Sequence, residues 1–267
     1  MSSLFKEVDY LRIPYADIKA ATNNFDIVNM IGIYHSKNVN YYVYEGELFR
    51  SGKRINIIVE RILGIQEVQL LEGVSVISRF KHNNIPTFVG FCYDKYLGGY
   101  LVSECEFMES LEQILNITPN PSIRKSEYRI RENLTCYHML QICLGVARAL
   151  SHIHDCHAIH GSFNSYKIFL DKDFEAKVVG LFENPEYFPL TRYTCYVDPE
   201  SECLNIFLTP KSDVYSFGVV LIDVFCQQHA ADQSWHYLEF PEIPEIEYTH
   251  FDDNIRKQMN SKARPFC

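Results

Sequence analysis

The chain has 267 residues, and its 25 lysines and arginines against 34 aspartates and glutamates give a formal net charge of −9. Its 47% hydrophobic and 14% aromatic residues suffice for a sizeable core, which excludes intrinsic disorder for most of the chain. The acid excess argues against nucleic-acid binding, because phosphate neutralisation needs a clustered positive surface and no sustained lysine or arginine block is present. We expect one large domain or two small lobes.

The cysteine pattern indicates reduced thiols in a cytosolic protein, most of them small core residues. The nine cysteines are odd in number and never in C-x-x-C spacing: Cys92, Cys105, Cys136, Cys143, Cys156, Cys195, Cys203, Cys226 and Cys267. No run approaches the ~18 apolar residues of a membrane span. The first ten residues lack an apolar signal region, and Ser2 stands where myristoylation requires glycine. The predicted location is cytoplasmic, with any contact with the plasma membrane made through partners.

The predicted elements in the first part of the chain are strands. Between residues 25 and 101, short apolar runs such as 41–48 and 55–59 are separated by turn residues. One helical stretch interrupts them near residues 66–79.

After Leu134 the hydrophobic period becomes that of helices. The first predicted helix buries a face made of Leu140, Cys143, Leu144, Ala147, Leu150 and His154. The second is predicted to begin at an N-cap at Ser212 and Asp213 and to continue through Val214, Phe217, Leu221 and Phe225. Residues 116–133 are predicted to form a surface loop, and the acidic tail after Cys226 is expected to pack loosely. A β-rich lobe followed by a helical lobe gives the fold class α+β.

Several stretches of the chain resemble plant receptor-like serine/threonine protein kinases in order and spacing. Residues 13–26, IPYADIKAATNNFD, resemble the segment that leads into the kinase domain of that family. The other similar stretches are 80–92, 140–160, 168–178, 195–201 and 208–226. Because several ordered matches are far more specific than one motif, the chain is identified as a member of the protein kinase family over roughly residues 11–260.

The resemblance implies a two-lobed protein kinase-like fold. We expect a leader at 1–24 that resembles a juxtamembrane segment, an N-lobe at 25–102, a C-lobe at 103–230 and a divergent tail at 231–267. The C-lobe is expected to be truncated near its C-terminal helices, because the family continues into further helices where this sequence stops.

The glycine-rich loop is the first catalytic part that departs from the family. A kinase needs such a loop over the phosphates, a lysine that contacts them, a catalytic aspartate, and an asparagine and an aspartate that bind magnesium. The family loop reads I-G-x-G-G-F-G-x-V-Y-K-G, whereas residues 31–46 keep only Gly32 and the closing Gly46. Side chains at the missing glycines would hold the backbone away from phosphates. Gly32, Gly46 and, more weakly, Lys37 remain as candidate nucleotide-binding residues.

The lysine and its glutamate partner are also replaced. The family's V-A-I-K aligns with residues 57–60, so Glu60 stands where the lysine belongs and would repel a triphosphate. By the family's spacing, the partner glutamate falls at Gly73, with Glu72 one residue away. Both ends of the usual ion pair are therefore predicted to be missing.

The catalytic loop and the magnesium motif have lost their oxygen ligands. Residues 160–167 read HGSFNSYK in place of H-R-D-L-x-x-x-N, so Ser162 replaces the aspartate and Lys167 the asparagine. The D-F-G motif aligns with residues 180–182 and places Gly180 at the aspartate. Magnesium would have no protein cage without these ligands. We expect no metal and no cofactor, with ATP bound without magnesium as the alternative.

Residues that support the family fold are better preserved. The candidates for this role are Ile77, His160, Leu181, Asp198, Pro199, Glu200 and Asp213. Ile77, His160 and Leu181 fall where the family stacks its internal hydrophobic spine, and Asp213 where an aspartate ties the catalytic loop to the central helix. Residues 198–200 resemble the end of the activation segment, and the expected truncation would remove the arginine that normally meets Glu200.

The short activation segment contains three candidate phosphorylation sites, Thr191, Tyr193 and Thr194, beside Arg192. A phosphate added by a partner kinase would order this loop by pairing with the arginine. An unmodified surface loop is the alternative.

Three further hypotheses concern the cleft. Lys37 or Arg61 would replace the missing cation if either reached the phosphates. The simpler interpretation is that both are solvated charges on the surface. Lys167 and Glu60 would form an ion pair across the cleft, unless both are partly exposed charges of little energetic value. Cys105 is expected to be a buried structural thiol rather than a redox switch.

These observations predict a catalytically impaired receptor-like kinase that acts as a binding or scaffold module in plant receptor signalling. Its expected partners are active receptor-like kinases or other signalling proteins. The alternative is a divergent serine/threonine kinase that binds ATP and transfers phosphate to protein. A third hypothesis is a degenerate product without a stable fold.

Overall fold

An antiparallel sheet forms the N-terminal lobe of the computed structural model, which describes residues 7–35, 40–50, 52–104, 109–115, 134–180, 194–200 and 208–226. The five strands are Met30–His35 (β1), Asn40–Arg50 (β2), Lys53–Leu63 (β3), Thr87–Asp94 (β4) and Gly98–Glu104 (β5), in the spatial order β1-β2-β3-β5-β4. The predicted strands at 41–48 and 55–59 are confirmed. Successive side chains of a strand point to opposite faces, so β3 presents Ile58 and Glu60 on one face and Val59 and Arg61 on the other.

One helix packs on each face of this sheet. The helix Glu67–Ile77 (α2), predicted near 66–79, buries Leu70, Leu71, Val74 and Ile77. On the other face lies the short helix Tyr15–Ala21 (α1), part of the predicted leader, which buries Ile18. The amide of Ile13 donates to the carbonyl of Phe91 at 2.8 Å, so this segment is hydrogen-bonded to β4. The described part of the predicted leader therefore packs against the sheet.

The second lobe is mainly helical. Its elements are Glu109–Ser110 (β6), Leu111–Leu115 (α3), Cys136–Asp155 (α4), Ile168–Leu170 (β7), Ala176–Val178 (β8) and Pro210–Cys226 (α5), with a small sheet in the order β6-β7-β8. The helix α4 begins with a capping box, in which the Thr135 hydroxyl accepts from the His138 amide at 3.3 Å. The α+β, two-lobed kinase-like fold expected from the sequence is confirmed.

The predicted buried face of α4 is wrong in part. Leu140 is 59% exposed and Leu144 50% exposed, and His154 is half-buried. The buried face instead consists of Met139, Ile142, Cys143, Val146, Ala149, Leu150 and Ile153. An apolar helix carries two overlapping stripes at helical spacing, and periodicity alone does not say which of them meets the neighbouring elements.

The predicted start of α5 is also wrong, but its predicted face is wrong only at Val214, because Phe217, Leu221 and Phe225 pack against the core. The helix begins at Pro210, whose fixed φ suits the first turn, and the Ser212 hydroxyl accepts from the Thr209 amide at 3.2 Å. Val214 is 58% exposed. The buried face contains Ser212, Asp213, Ser216, Val220, Asp223 and Val224, four of them polar or charged, because their side chains meet hydrogen-bond donors and acceptors elsewhere in the lobe.

Fewer cysteines lie in the core than predicted. Of the six cysteines among the described residues, all are free, but only Cys92 and Cys143 are buried and Cys156 is exposed. Cys105 lies outside the described residues, as do the predicted loop at 116–133 and the tail at 231–267. A search of the described helices finds none with the length and apolar character that a bilayer crossing demands.

Candidate functional site

Asp213 fixes the start of the loop at 160–167 to the helical lobe. Its side chain is 1% exposed, and its two carboxylate oxygens accept from the amides of His160 and Gly161, each at 2.9 Å. The same carboxylate lies 2.8 Å from Nε2 of His154 on α4. The loop is thus tied to α5 in the way that the resemblance implies, and His154 adds a contact that sequence reasoning missed.

His160 connects this loop to the segment that follows β8. Its ring is buried, packs edge-on against Phe163 with centroids 5.3 Å apart, and places Nε2 at 2.9 Å from the carbonyl of Val179. The amide of Val179 donates in turn to the carbonyl of Lys167 at 2.9 Å. Both ends of the loop therefore contact the residue just before Gly180, and the predicted magnesium positions are brought together.

Ser162 stands at the position of the catalytic aspartate and is buried. It is 6% exposed, and its hydroxyl has no hydrogen-bond partner in the described part of the chain. Its backbone is held, because its carbonyl accepts from the Asn164 amide group at 3.0 Å. A neutral hydroxyl at this place has none of the charge by which a carboxylate orients an acceptor.

Lys167 and Gly180 lie against each other. Lys167 is 3% exposed, and a Cβ atom added to Gly180 would lie 2.7 Å from its Nζ and 2.8 Å from its Cδ. Gly180 also has a positive φ of 78°, which disfavours other residues. The lysine side chain therefore runs along the backbone at the place where the family carries its magnesium-binding aspartate.

The far end of the Lys167 side chain meets β2. Its Nζ lies 5.0 Å from the centre of the buried Tyr41 ring, which is the geometry of a cation–π contact. When the family's G-x-V-Y-K-G is aligned with residues 41–46, Tyr41 stands at the position of the last glycine of the loop. The sequence alone shows that a tyrosine replaces this glycine, but only the structure shows that its ring points into the cleft.

An apolar layer joins the two lobes beside this contact. It consists of Val43 on β2, Ile58 on β3, Phe169 on β7 and Val179, all buried, with Ile31 packed against them. We call these four buried side chains the inter-lobe layer. Ile58 stands at the alanine of V-A-I-K, so this chain adds three carbon atoms to the layer where the family has a methyl group.

Glu60 faces the cleft beside this layer. It lines a cavity of about 30 Å³ together with Ile77, Leu101, Val179 and Gly180. Small-molecule sites usually measure roughly 300–1,000 Å³, so this cavity holds one or two waters at most. Glu60 and Lys167 approach Gly180 from the two lobes, and an ion pair between them stays a prediction.

A larger groove of about 640 Å³ lies further along the sheet. It borders the inter-lobe layer at Ile58 and is lined by Glu45, Glu47 and the end of α1 at Ala20 and Ala21. Two carboxylates at its wall repel a polyanion, because like charges at short range raise the energy of binding. Arg54 also lines the groove and lies 3.5 Å from the Glu47 carboxylate, so the charge of one of these two carboxylates is offset.

The helix α2 supplies no carboxylate to the cleft. Gly73 is half-buried without a side chain, and Glu72 is exposed. The buried face of the helix is apolar and ends at Ile77, which lines the cavity with Glu60. The predicted loss of the lysine–glutamate pair agrees with this arrangement.

The hypothesis that Arg61 replaces the missing cation is wrong. Its guanidinium carbon lies 5.5 Å from the ring centre of Phe25 and 5.8 Å from that of Tyr100, on the sheet face that packs against the leader. Arg61 and Glu60 are neighbours on a strand and point to opposite faces. Lys37 lies outside the described residues.

The two candidate glycines have different surroundings. Gly32 pairs with Val43 in the β1–β2 ladder, next to a bulge. A Cβ atom at Gly46 would lie 2.4 Å from the carbonyl oxygen of Ala21. Gly46 therefore contacts the leader helix, and it also lines the groove of about 640 Å³. Its role in nucleotide binding stays a prediction.

A buried polar network at the end of the activation segment was missed by the sequence reasoning. The Tyr196 hydroxyl donates to Asp223 and lies 3.0 Å from the Ser165 hydroxyl. Burial raises the pKa of Tyr196 well above its ordinary value, and the Asp223 carboxylate raises it further. The Ser216 hydroxyl donates to the Tyr196 carbonyl at 2.6 Å. This network fastens the segment to α5 and to the loop at 160–167.

The remaining predicted residues lie near this network or beyond the described residues. Asp198 accepts from the Ser212 hydroxyl at 3.1 Å and from the Glu200 amide at 3.1 Å, while Pro199 is half-buried and Glu200 is exposed. Thr194 begins a short 3-10 turn, but its side chain is not described. Leu181, Thr191 and Tyr193 lie outside the described residues.

A β-sheet lobe over a helical lobe, with a loop anchored by an aspartate between them, is the architecture of a protein kinase domain. Residues 38–260 match the family described as protein tyrosine and serine/threonine kinase, and the chain belongs to this family.

Plant receptor-like kinases are among the relatives that the chain matches. It is 32% identical to Receptor-like protein kinase HERK 1 of Arabidopsis thaliana, over 87% of this chain and 27% of that protein. It is 29% identical to Receptor-like protein kinase FERONIA of the same plant, over 81% of this chain and 24% of that protein. A third relative from this plant, named "Probably inactive leucine-rich repeat receptor-like protein kinase", is 31% identical over 69% of this chain and 20% of its own length. The chain spans about a quarter of the length of the curated relatives it matches.

Proposed function

We propose that this chain is a kinase-fold binding module that does not transfer phosphate. The observation that carries the proposal is the pair Lys167 and Gly180, in which a buried ammonium lies against a residue without a side chain. In the family, these two positions supply the oxygen ligands of magnesium.

The residues at this pair do not fit a magnesium ion. Magnesium requires oxygen ligands at about 2.0–2.1 Å in near-octahedral geometry, whereas an ammonium donates only and repels a cation. In the described part of the chain, no three His, Cys, Asp or Glu side chains come together in a way that could hold a metal.

The other catalytic positions support the same proposal. Ser162 offers a neutral hydroxyl in place of the carboxylate that orients the acceptor, and Glu60 brings negative charge to the place of a phosphate-binding lysine. If each lost charge or ligand costs about 3 kcal/mol of transition-state stabilisation, the rate falls ~100-fold for each part. Such effects are not strictly additive, but three or four of them together leave no useful turnover.

The competing function is a divergent serine/threonine kinase that binds ATP, with or without magnesium. The names of HERK 1 and FERONIA as protein kinases favour it. The four positions Glu60, Ser162, Lys167 and Gly180 distinguish the two functions, because an active relative carries the family residues there.

We propose that the chain binds active receptor-like kinases or other signalling proteins in the plant cytoplasm. The support is that the loop anchor at Asp213, the network at Tyr196 and both lobes remain, so the chain keeps a kinase-like surface. A kinase fold kept without its chemistry still presents the surfaces by which kinases contact each other. The relative whose name marks inactivity shows that a similar chain has been described in these terms.

Phosphate transfer to a generic substrate, with magnesium or manganese, tests the catalytic half of the proposal. The matched control is the variant Glu60→Lys, Ser162→Asp, Lys167→Asn and Gly180→Asp. We expect no transfer by the wild-type chain. Transfer by the wild type would contradict the proposal. Micromolar binding of labelled ATP that Lys37→Ala abolishes would instead favour the hypothesis that Lys37 replaces the missing cation.

Calorimetry with the purified kinase domains of active receptor-like kinases tests the binding half. We expect micromolar or tighter association that persists with a catalytically dead partner, because recognition rather than phosphate transfer is proposed. A folded chain that binds none of these domains would contradict a partnership with receptor kinases. Absence of a cooperative thermal transition would instead support the third hypothesis, a chain without a stable fold.

A further inference from the structure

The interior of the cleft contains three features that the loss of catalysis does not require. A kinase that merely lost its metal ligands would keep an open adenine site and a polar phosphate site. Here a lysine and a set of apolar side chains from both lobes are buried at those places instead. The question is what these side chains do.

The first feature is the contact of Lys167 with β2. Lys167 belongs to the loop of the helical lobe, while Tyr41 belongs to the sheet lobe, and the ammonium lies 5.0 Å from the ring centre. Both side chains are buried. A cation is attracted to an aromatic face more strongly when water is excluded, so this contact attracts one lobe to the other.

The second feature is the inter-lobe layer. Val43 and Ile58 come from the sheet lobe, whereas Phe169 and Val179 come from the helical lobe, and all four are at most 5% exposed. Separation of the lobes would expose this apolar surface to water, which is unfavourable in proportion to its area. The layer therefore also opposes opening of the cleft.

The third feature is the lack of a side chain at Gly180. A Cβ there would lie 2.7 Å from the Lys167 Nζ, so the glycine makes room for the lysine. The two departures from the family pattern are therefore complementary: the chain could not keep an aspartate at 180 and this conformation of Lys167 together.

We infer that Lys167 acts as a built-in cation at the place of the family's magnesium, and that with Tyr41 and the inter-lobe layer it holds the two lobes closed without a nucleotide. The inference goes beyond the proposed function, which requires only that phosphate is not transferred. Its consequence is that partners meet a single, closed arrangement of the lobes that no nucleotide regulates.

Hydrogen exchange of the β2 and β3 amides in the full chain tests this arrangement. Lys167→Met removes the charge and keeps the length, and Lys172→Met, at an exposed lysine of the same lobe, is the matched control. We expect exchange in residues 40–63 to rise roughly 10- to 30-fold in Lys167→Met, as loss of a desolvated cation–π contact implies, and to stay unchanged in the control. Unchanged exchange in both variants would overturn the inference.

Amine labelling of the wild-type chain provides a test that survives any folding defect of Lys167→Met. Acylation followed by mass spectrometry should modify Lys167 at least about tenfold more slowly than Lys172, because only the exposed amine meets the reagent freely. Tyr41→Leu should accelerate labelling of Lys167 and leave that of Lys172 unchanged. Equal rates at the two lysines in the wild type would overturn the inference.

Failure here is distinguishable from failure of the proposed function. If Lys167→Met leaves the exchange unchanged while the wild type transfers no phosphate, the closed arrangement is wrong and the proposed function stands. If the wild type transfers phosphate, the proposed function is wrong whatever the exchange shows.

Discussion

The two ends of the loop at 160–167 differ in what they retain. At the start, the backbone amides of His160 and Gly161 donate to Asp213, so a single carboxylate holds the loop. At the end, Lys167 replaces an oxygen ligand and lies buried against Gly180 and Tyr41. The anchored end keeps the family's residues, Asp213 and His160, whereas the cleft end carries replacements at Lys167 and Gly180. The residues that position the loop are therefore kept, although the residues at the family's metal-binding positions differ.

The largest expected effect comes from breaking the anchored end. Asp213→Ala leaves two backbone amides and His154 without their acceptor in a buried place, so we expect a loss of about 3–5 kcal/mol in the free energy of unfolding. Urea unfolding measures this value. Asp155→Ala, at an exposed aspartate of α4, is the control and should change it by less than about 0.5 kcal/mol. A loss below about 1 kcal/mol in Asp213→Ala would show that the loop is held by other contacts.

The next effect concerns the cleft end. Ile58→Ala restores the family's residue but removes three carbon atoms from the inter-lobe layer, so we expect a cost of about 2–4 kcal/mol in the free energy of unfolding. The control is Ile27→Ala, which removes the same atoms from a side chain that is 75% exposed. If the two variants lose equal stability, the layer is not packed as described.

A smaller effect on stability concerns Gly46, which contacts the leader and is also a candidate nucleotide-binding residue. Gly46→Ala places a methyl group 2.4 Å from the Ala21 carbonyl and should cost about 1–3 kcal/mol, because backbone atoms must move. Gly218→Ala, where no heavy atom lies within 4 Å, should be neutral or stabilising by up to about 1 kcal/mol. Thermal unfolding of both variants measures the difference, and equal melting temperatures would show that Gly46 does not contact the leader as described.

The smallest effect is a pH dependence outside the cleft. Burial lowers the pKa of His82, and His152, Arg148 and Lys177 lower it further. Because the unfolded chain then binds more protons at His82 than the folded chain, stability falls as the pH drops through the unfolded pKa, about 6.5. We expect His82→Gln to gain stability relative to the wild type between roughly pH 7.5 and 5.5. A stability difference that stays constant over this range would contradict the assignment.

Much of the fold was predictable because its signals are local. The strands at 41–48 and 55–59 alternate clearly, and the kinase motifs occur in order, so both lobes and the position of Asp213 followed from the sequence. The buried face of α4 did not. Leu140 and Leu144 satisfy a helical period as well as Met139 and Ile142 do, and tertiary packing decides between them.

The sequence predicted which family residues are replaced at the candidate site, but it did not predict how the replacing side chains pack. Glu60, Ser162, Lys167 and Gly180 were found by comparison with the family motif. The contact between Lys167 and Tyr41 joins residues 126 positions apart, a separation that no local pattern records. The network of Tyr196 and Asp223 was missed because a polar face on a helix usually indicates contact with solvent.

A thermal-shift titration of the wild-type chain with ATP, with and without magnesium, tests the central claim most directly. A ligand that binds only the native state must raise its stability, by about 2.7 kcal/mol at a concentration one hundred times the dissociation constant. Because Lys167, Tyr41 and the inter-lobe layer fill the cleft, we predict no change in melting temperature at millimolar ATP under either condition. A rise in melting temperature that grows with ATP concentration would contradict the account.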